Sequence, residues 1–122
     1  MGQSLDLSAA TCSLEDFTMQ RYIQTVQYKT SYYSFYLPVQ LGMILHGITQ
    51  PELYRKSRQI LLDMGNLFQV QDDYLDCFGN PEMTGKFGTD IQDYKCSWFI
   101  VKALEKADSY QKSELKVTQY PF

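Results

Sequence analysis

Residues 51–78 read PELYRKSRQILLDMGNLFQVQDDYLDCF, and the reading of this stretch decides the fold. Leu53, Ile60, Met64, Leu67, Tyr74 and Phe78 recur at spacings of three, four or seven, which puts them on one helical face. Ahead of it, Gly47-Ile-Thr49-Gln-Pro51-Glu52 joins a helix stop to a helix start, with Thr49 as cap, Glu52 as the reciprocal acid and Pro51 early in the first turn. Gly79-Asn80-Pro81 closes it. The expectation is one long core helix carrying an apolar stripe.

Upstream, Ser13-Leu-Glu-Asp16 reads as a cap entering a helix with Phe17, Tyr22 and Val26, running to about Tyr28. A second helix is expected from Thr30 to His46, kinked by Pro38. Downstream, Thr84-Gly85-Lys86-Phe87-Gly88-Thr89 is a loop with two glycines around one lysine. Thr89-Asp-Ile-Gln92 then restarts a helix as a capping box, with Ile91, Tyr94, Trp98 and Val101 as its buried face. From about Asp108 the pattern decays into polar residues and no helix is expected. No repeat and no alternating run suggests a sheet, so the fold class is all-α.

A chain of 122 residues holds one domain, and 44% apolar with 20% charged residues is a globular balance. A net charge of −3 argues against a general nucleic-acid binder. Cys12, Cys77 and Cys96 are odd in number and widely spaced, which fits neither a disulfide framework nor a zinc site and points to a reducing, cytoplasmic home. Residues 1–30 lack the pattern of a leader. The stretch from Tyr32 to Ile48 is interrupted by Pro38, Gln40, Gly42 and His46, so no transmembrane segment is expected.

The acids are concentrated. Residues 63–93 carry Asp63, Asp72, Asp73, Asp76, Glu82, Asp90 and Asp93 against Lys86 alone, a local charge of −6. On the long helix Asp72 and Asp76 are four apart, and Gln69 precedes Asp72 and Asp73 by three and four, so the group shares one flank. Like charges so placed call for compensation. A hard divalent cation supplies it, since Mg²⁺ takes one or two protein carboxylates and completes its shell with water and phosphate. Lys86 and Lys95 are then suited to phosphate oxygens. On composition alone the same run reads as a solvated acidic face, and both readings stand at this point. His46 near a helix end reads as structural, and the aromatic group Tyr28, Tyr32, Tyr33, Phe35 and Tyr36 as core or interface.

Gly2-Gln3-Ser-Leu-Asp6-Leu, Tyr28-Lys29-Thr30, residues 68–76 (FQVQDDYLD), residues 84–90 (TGKFGTD) and residues 91–98 (IQDYKCSW) stand in the order seen in the trans-prenyltransferases. The chain resembles that polyprenyl synthetase family, nearest its farnesyl diphosphate synthase branch. The resemblance implies part of the isoprenoid synthase helical fold, with the first aspartate-rich helix and the C-terminal helices missing. It divides the chain into a partial synthetase domain over residues 1–111 and a divergent tail over 112–122.

By the same resemblance, Asp6, Asp72, Asp73 and Asp76 belong to Mg²⁺, and Lys29, Lys86 and Lys95 to an allylic diphosphate. Thr30, Tyr33 and Gln69 line the allylic pocket, with Lys29, Thr30 and Gln69 as the catalytic group. The parent reaction joins an allylic diphosphate to isopentenyl diphosphate in a homodimeric enzyme. This chain alone is expected to be catalytically deficient. The other readings are a non-catalytic partner of the full-length synthase, or a fragment that does not fold alone.

Overall fold

A computed structural model describes residues 12–119, and Asp6 therefore lies outside the described residues. A 3-10 turn, Leu14–Asp16, precedes helix α1, Met19–Val26. Ser13 caps the short turn, its N–H and hydroxyl both donating to the Asp16 carboxylate at 3.1 and 3.2 Å. The first long helix begins later than expected, at Thr18, whose Oγ1 accepts the Arg21 N–H at 3.2 Å.

The break expected near Lys29 is absent. α1 continues as a π-helical segment, Gln27–Tyr36, and then as α2, Leu37–Leu45. The wider register places the Leu37 N–H on the Tyr32 carbonyl. Pro38 follows at once, and its ring would crowd the carbonyl four residues back in a regular α-helix. The π register is what lets the chain pass through it in one helix. At the far end His46 Nδ1 lies 2.8 Å from the Gly42 carbonyl, the acceptor one turn back in the same helix.

Helix α3, Pro51–Phe78, has the predicted limits, but Gln50 rather than Thr49 occupies the N-cap and no side chain caps it. Glu52 pairs instead with Arg55 at 2.6 Å and Lys56 at 3.8 Å. The larger correction concerns its faces. Leu53, Ile60, Met64, Leu67, Tyr74 and Phe78, the expected core stripe, are all exposed, Leu67 to 70%. The buried residues of α3 are Gly65, Gln69 and Asp73, the face laid against the π segment.

Beyond the short helix α4, Pro81–Thr84, the helix expected from Thr89 is a run of turns, with Tyr94 at φ 52°. That left-handed backbone angle at a bulky residue ends any helix there. Helix α5, Trp98–Lys106, starts only at Ser97. Helix α6, Ser109–Gln119, occupies the region read as non-helical and spans residue 111. Its signal is a reciprocal cap: the Gln111 N–H donates to Asp108 Oδ1 at 2.8 Å and the Asp108 N–H to Gln111 Oε1 at 3.0 Å.

The core gathers Leu14, Phe17, Tyr22, Val26, Ile100 and Val101 where the 3-10 turn, α1 and α5 meet. The described residues contain helices and turns and no strand, as the all-α reading requires.

α3 reaches the π segment through one glycine. A Cβ on Gly65 would lie 2.4 Å from Ser31 Oγ and 2.6 Å from Ser31 Cα, and Ser31 is wholly buried. Gly65→Ala should therefore cost about 2 kcal/mol, read by denaturant unfolding. Ser31→Ala should not rescue it, because the conflict includes the Ser31 backbone.

Candidate functional site

Helical spacing separates the three aspartates of α3. Asp72 and Asp76 stand one turn apart, while Asp73 is rotated by about 100° towards the π segment. Their environments differ accordingly.

Asp72 keeps a side chain 42% exposed and takes Lys86 Nζ at 3.2 Å. Asp76, 9% exposed, lies 3.9 Å from the same Nζ and accepts the Asp90 N–H at 2.9 Å. The hydrogen bond with Asp72 and the surrounding carboxylates push the Lys86 pKa up.

The loop that delivers Lys86 is built by its glycines. Gly85 ends α4 in the left-handed region at φ 71°. Gly88 passes so close to α3 that a Cβ would lie 1.7 Å from the Asp76 carbonyl oxygen. The Thr84 hydroxyl donates to the Lys86 carbonyl at 3.0 Å.

Asp73 is 3% exposed. Its Oδ2 accepts the Trp98 N–H at 2.7 Å and its Oδ1 accepts Gln69 Nε2 at 3.0 Å. Trp98 is the first residue of α5, and Ser97 at the N-cap makes no side-chain cap bond. The carboxylate from α3 thus serves as the cap of another helix, at the end where the backbone dipole favours negative charge. Burial pushes the Asp73 pKa up, and the Trp98 N–H and Gln69 amide oppose that.

Gln69 extends the network. Its Nε2 also donates to Asp72 Oδ2 at 3.2 Å, and its Oε1 accepts the Thr30 hydroxyl at 2.8 Å. Lys29, Gln69, Asp73 and Lys95 line one cavity of about 20 Å³ with Tyr22 and Asp90, a space the size of a single water. The buried Tyr22 hydroxyl meets no hydrogen-bond partner in good geometry there. Burial and the Asp73 carboxylate push its pKa up.

Of the residues picked from sequence, Lys29, Thr30, Gln69, Asp72, Asp73, Asp76, Lys86 and Lys95 thus fall into one connected region. Tyr33 stands apart on the π segment, 62% exposed. Tyr22, read from sequence as a core position, Asp90, read as one of the clustered acids, and the Trp98 N–H were not among the expected site residues. The close GKFGTD spacing could have marked Asp90, whereas nothing in the sequence marks a backbone N–H. Among the described residues no three acids converge as a ready-made metal cage. The donor set fits a hard cation held by one or two carboxylates, Asp72 being the most open.

A family model described as polyprenyl synthetase matches residues 1–119. The chain is 50% identical over 119 residues to the farnesyl pyrophosphate synthase of Gallus gallus, covering 95% of this chain and 32% of that one. It is 53% identical over 114 residues to the Zea mays farnesyl pyrophosphate synthase, covering 91% and 32%. The solved T. brucei farnesyl pyrophosphate synthase superposes with a TM-score of 0.84 at 41% identity, over 95% of this chain and 36% of that one. The chain belongs to the polyprenyl synthetase family and spans about a third of the length of these relatives.

Asp90 supplies a pH test. Burial, with Asp76 and Asp73 nearby, pushes its pKa from 3.8 to about 6. The folded state then binds the proton more tightly than the unfolded chain, so stability falls as pH rises from about 4 to about 6. In magnesium-free buffer, thermal unfolding of Asp90→Asn should lack that fall and exceed wild type at neutral pH.

Proposed function

We propose that this member of the polyprenyl synthetase family carries the allylic-diphosphate half-site of a farnesyl diphosphate synthase. The parent reaction is the Mg²⁺-dependent condensation of dimethylallyl or geranyl diphosphate with isopentenyl diphosphate. The observation that carries the reading is the single lysine held between two carboxylates, Lys86 at 3.2 Å from Asp72 and 3.9 Å from Asp76, on a loop pinned by Gly88. That arrangement keeps a cation and hard oxygen donors side by side, as a diphosphate bridged to a metal needs.

Asp72 and Asp76 would hold the metal, joined in this proposal by Asp6. Mg²⁺, when bound, supplies positive charge against the departing diphosphate. Lys86 meets phosphate oxygens at the rim, and Lys29 and Lys95 add positive charge beside the buried cavity. Thr30 and Gln69 face the allylic chain, and Tyr33 offers its exposed ring to that chain. Three free cysteines support the cytoplasm as the compartment, and none of the described helices is long and apolar enough to cross a membrane.

Turnover by this chain alone should be at background, because it spans about a third of the length of the relatives it matches. In calorimetry with inorganic pyrophosphate, Mg²⁺-dependent affinity should drop about tenfold in Asp72→Asn. Incubation with geranyl and isopentenyl diphosphates plus Mg²⁺ should give no farnesyl diphosphate above blank. Clear formation would overturn the deficiency.

The exposed stripe of α3 favours a second reading, a chain that associates with a full-length synthase of homodimeric type. Gel filtration with that synthase should show a shared peak. Separate elution at micromolar concentration would dismiss it.

A further inference from the structure

Helix α6 lies loosely on the rest of the molecule. Three clefts have it as a wall: one of about 450 Å³ over Leu14, Phe17, Val101 and Leu104, one of about 540 Å³ against Ala103 and Ala107, and one of about 430 Å³ beside Cys12 and Ser13. Elements that share a close-packed core leave no such spaces between them. Of the apolar side chains of α6 at described positions, Leu115 packs against the core, while Tyr110 is 73% exposed and Val117 67%. An 11-residue helix is too short to persist by itself in water, so α6 depends on what it docks to.

Electrostatics supplies a second hold. Lys116 Nζ, in the last turn of α6, donates to Glu15 Oε1 across 101 positions of sequence and ties the helix to the 3-10 turn. Both side chains are at least half exposed, so the pair is weak and screened by salt. The other end of α6 is a joint. α5 closes with the Ala107 N–H on the Ala103 carbonyl, and the reciprocal bonds between Asp108 and Gln111 belong to α6. Each helix therefore keeps its own terminal bonds when the angle between the two changes.

We propose that α6 is a strap, hinged at Ala107-Asp108 and latched by Lys116 on Glu15, that opens while α1, α3 and α5 stay folded. Opening bares the side of the core made by Leu14, Phe17, Val101 and Leu104, and ionic strength sets how often that happens. Released from the core, so short a helix frays, which makes the opening visible. The latch uses no residue assigned to metal or diphosphate, so it stands apart from the prenyltransferase reading.

The test is amide hydrogen exchange of the whole chain, followed residue by residue by NMR. At about 0.02 M salt the wild-type amides of Lys112 to Lys116 should be protected, yet exchange about tenfold or more faster than those in the middle of α3. Raising the salt to about 0.5 M should quicken α6 exchange about threefold and leave α3 unchanged, as the screening of one exposed pair requires. Glu15→Gln should show the faster α6 rate at both salt concentrations. Glu15→Lys combined with Lys116→Glu should restore the wild-type rate together with its salt dependence.

Exchange of α6 at the α3 rate under every condition overturns the proposal, because the helix then opens only with the whole fold. Wild-type α6 amides without protection overturn it as well, whether or not α3 is protected, since no latched state then exists. So does a salt dependence that survives in Glu15→Gln, which would put the electrostatic hold on other groups. If a substituted chain loses protection in α3 and so fails to fold, the salt series on wild type decides: quickening confined to α6 supports the strap, and its absence refutes it.

Discussion

The close approach of Gly65 to Ser31 is the constraint on which the site depends. Two helices normally sit about 8–10 Å apart because side chains stand between them. Here the missing Cβ lets α3 settle onto the π segment, with Ser31 wholly buried at the contact. One turn further along α3 comes Gln69, and one residue before Ser31 comes Thr30, so the short contact brings their side chains to 2.8 Å. The π register contributes to the same end. It lets a helix with a proline in its path remain continuous and present Thr30 and Ser31 to α3 together.

The same contact explains why α3 is buried on its polar side. A helix face of Gly65, Gln69 and Asp73 would be expensive to hide without partners. The partners are supplied by the Thr30 hydroxyl, the Trp98 N–H and the network between them. The apolar stripe from Leu53 to Phe78 is consequently turned outwards. An amphipathic pattern shows that a helix has two faces, but not which of them a given stretch of chain will cover. The relatives are about three times as long as this chain, so much of what packs in them lies outside it.

That distinction sets what was legible in the sequence. The all-α class, both ends of α3 and the buried Phe17, Tyr22, Val26 and Val101 follow from local patterns of capping and spacing, and the structure has them. The gathering of Lys29, Gln69, Asp72, Asp73, Asp76, Lys86 and Lys95 was reached through the ordered motifs. Three misreadings concern where helices begin. The Thr89 motif closes on Asp93 within a turn instead of starting a helix. Ser97 begins α5 with a cap borrowed from Asp73, and Asp108 begins α6 in a segment too polar to suggest one.

Compensation of the acids is the point at which sequence reasoning and structure pull apart most usefully. A cluster of carboxylates on one helix demanded a counter-charge, and a divalent metal was the natural candidate. The structure shows two counter-charges already in place within the chain. Lys86 lies between Asp72 and Asp76, and the positive end of α5 receives Asp73. An acidic motif is therefore not by itself a demand for metal. A cation that joined Asp72 at Oδ1 would share that oxygen with Lys86 or displace it, and a lysine so displaced would carry its charge onto whatever anion arrives with the metal. Metal and diphosphate would then bind as a pair, each relieving the charge the other leaves unpaired, because Lys86 can pass from carboxylate to phosphate only when both are present.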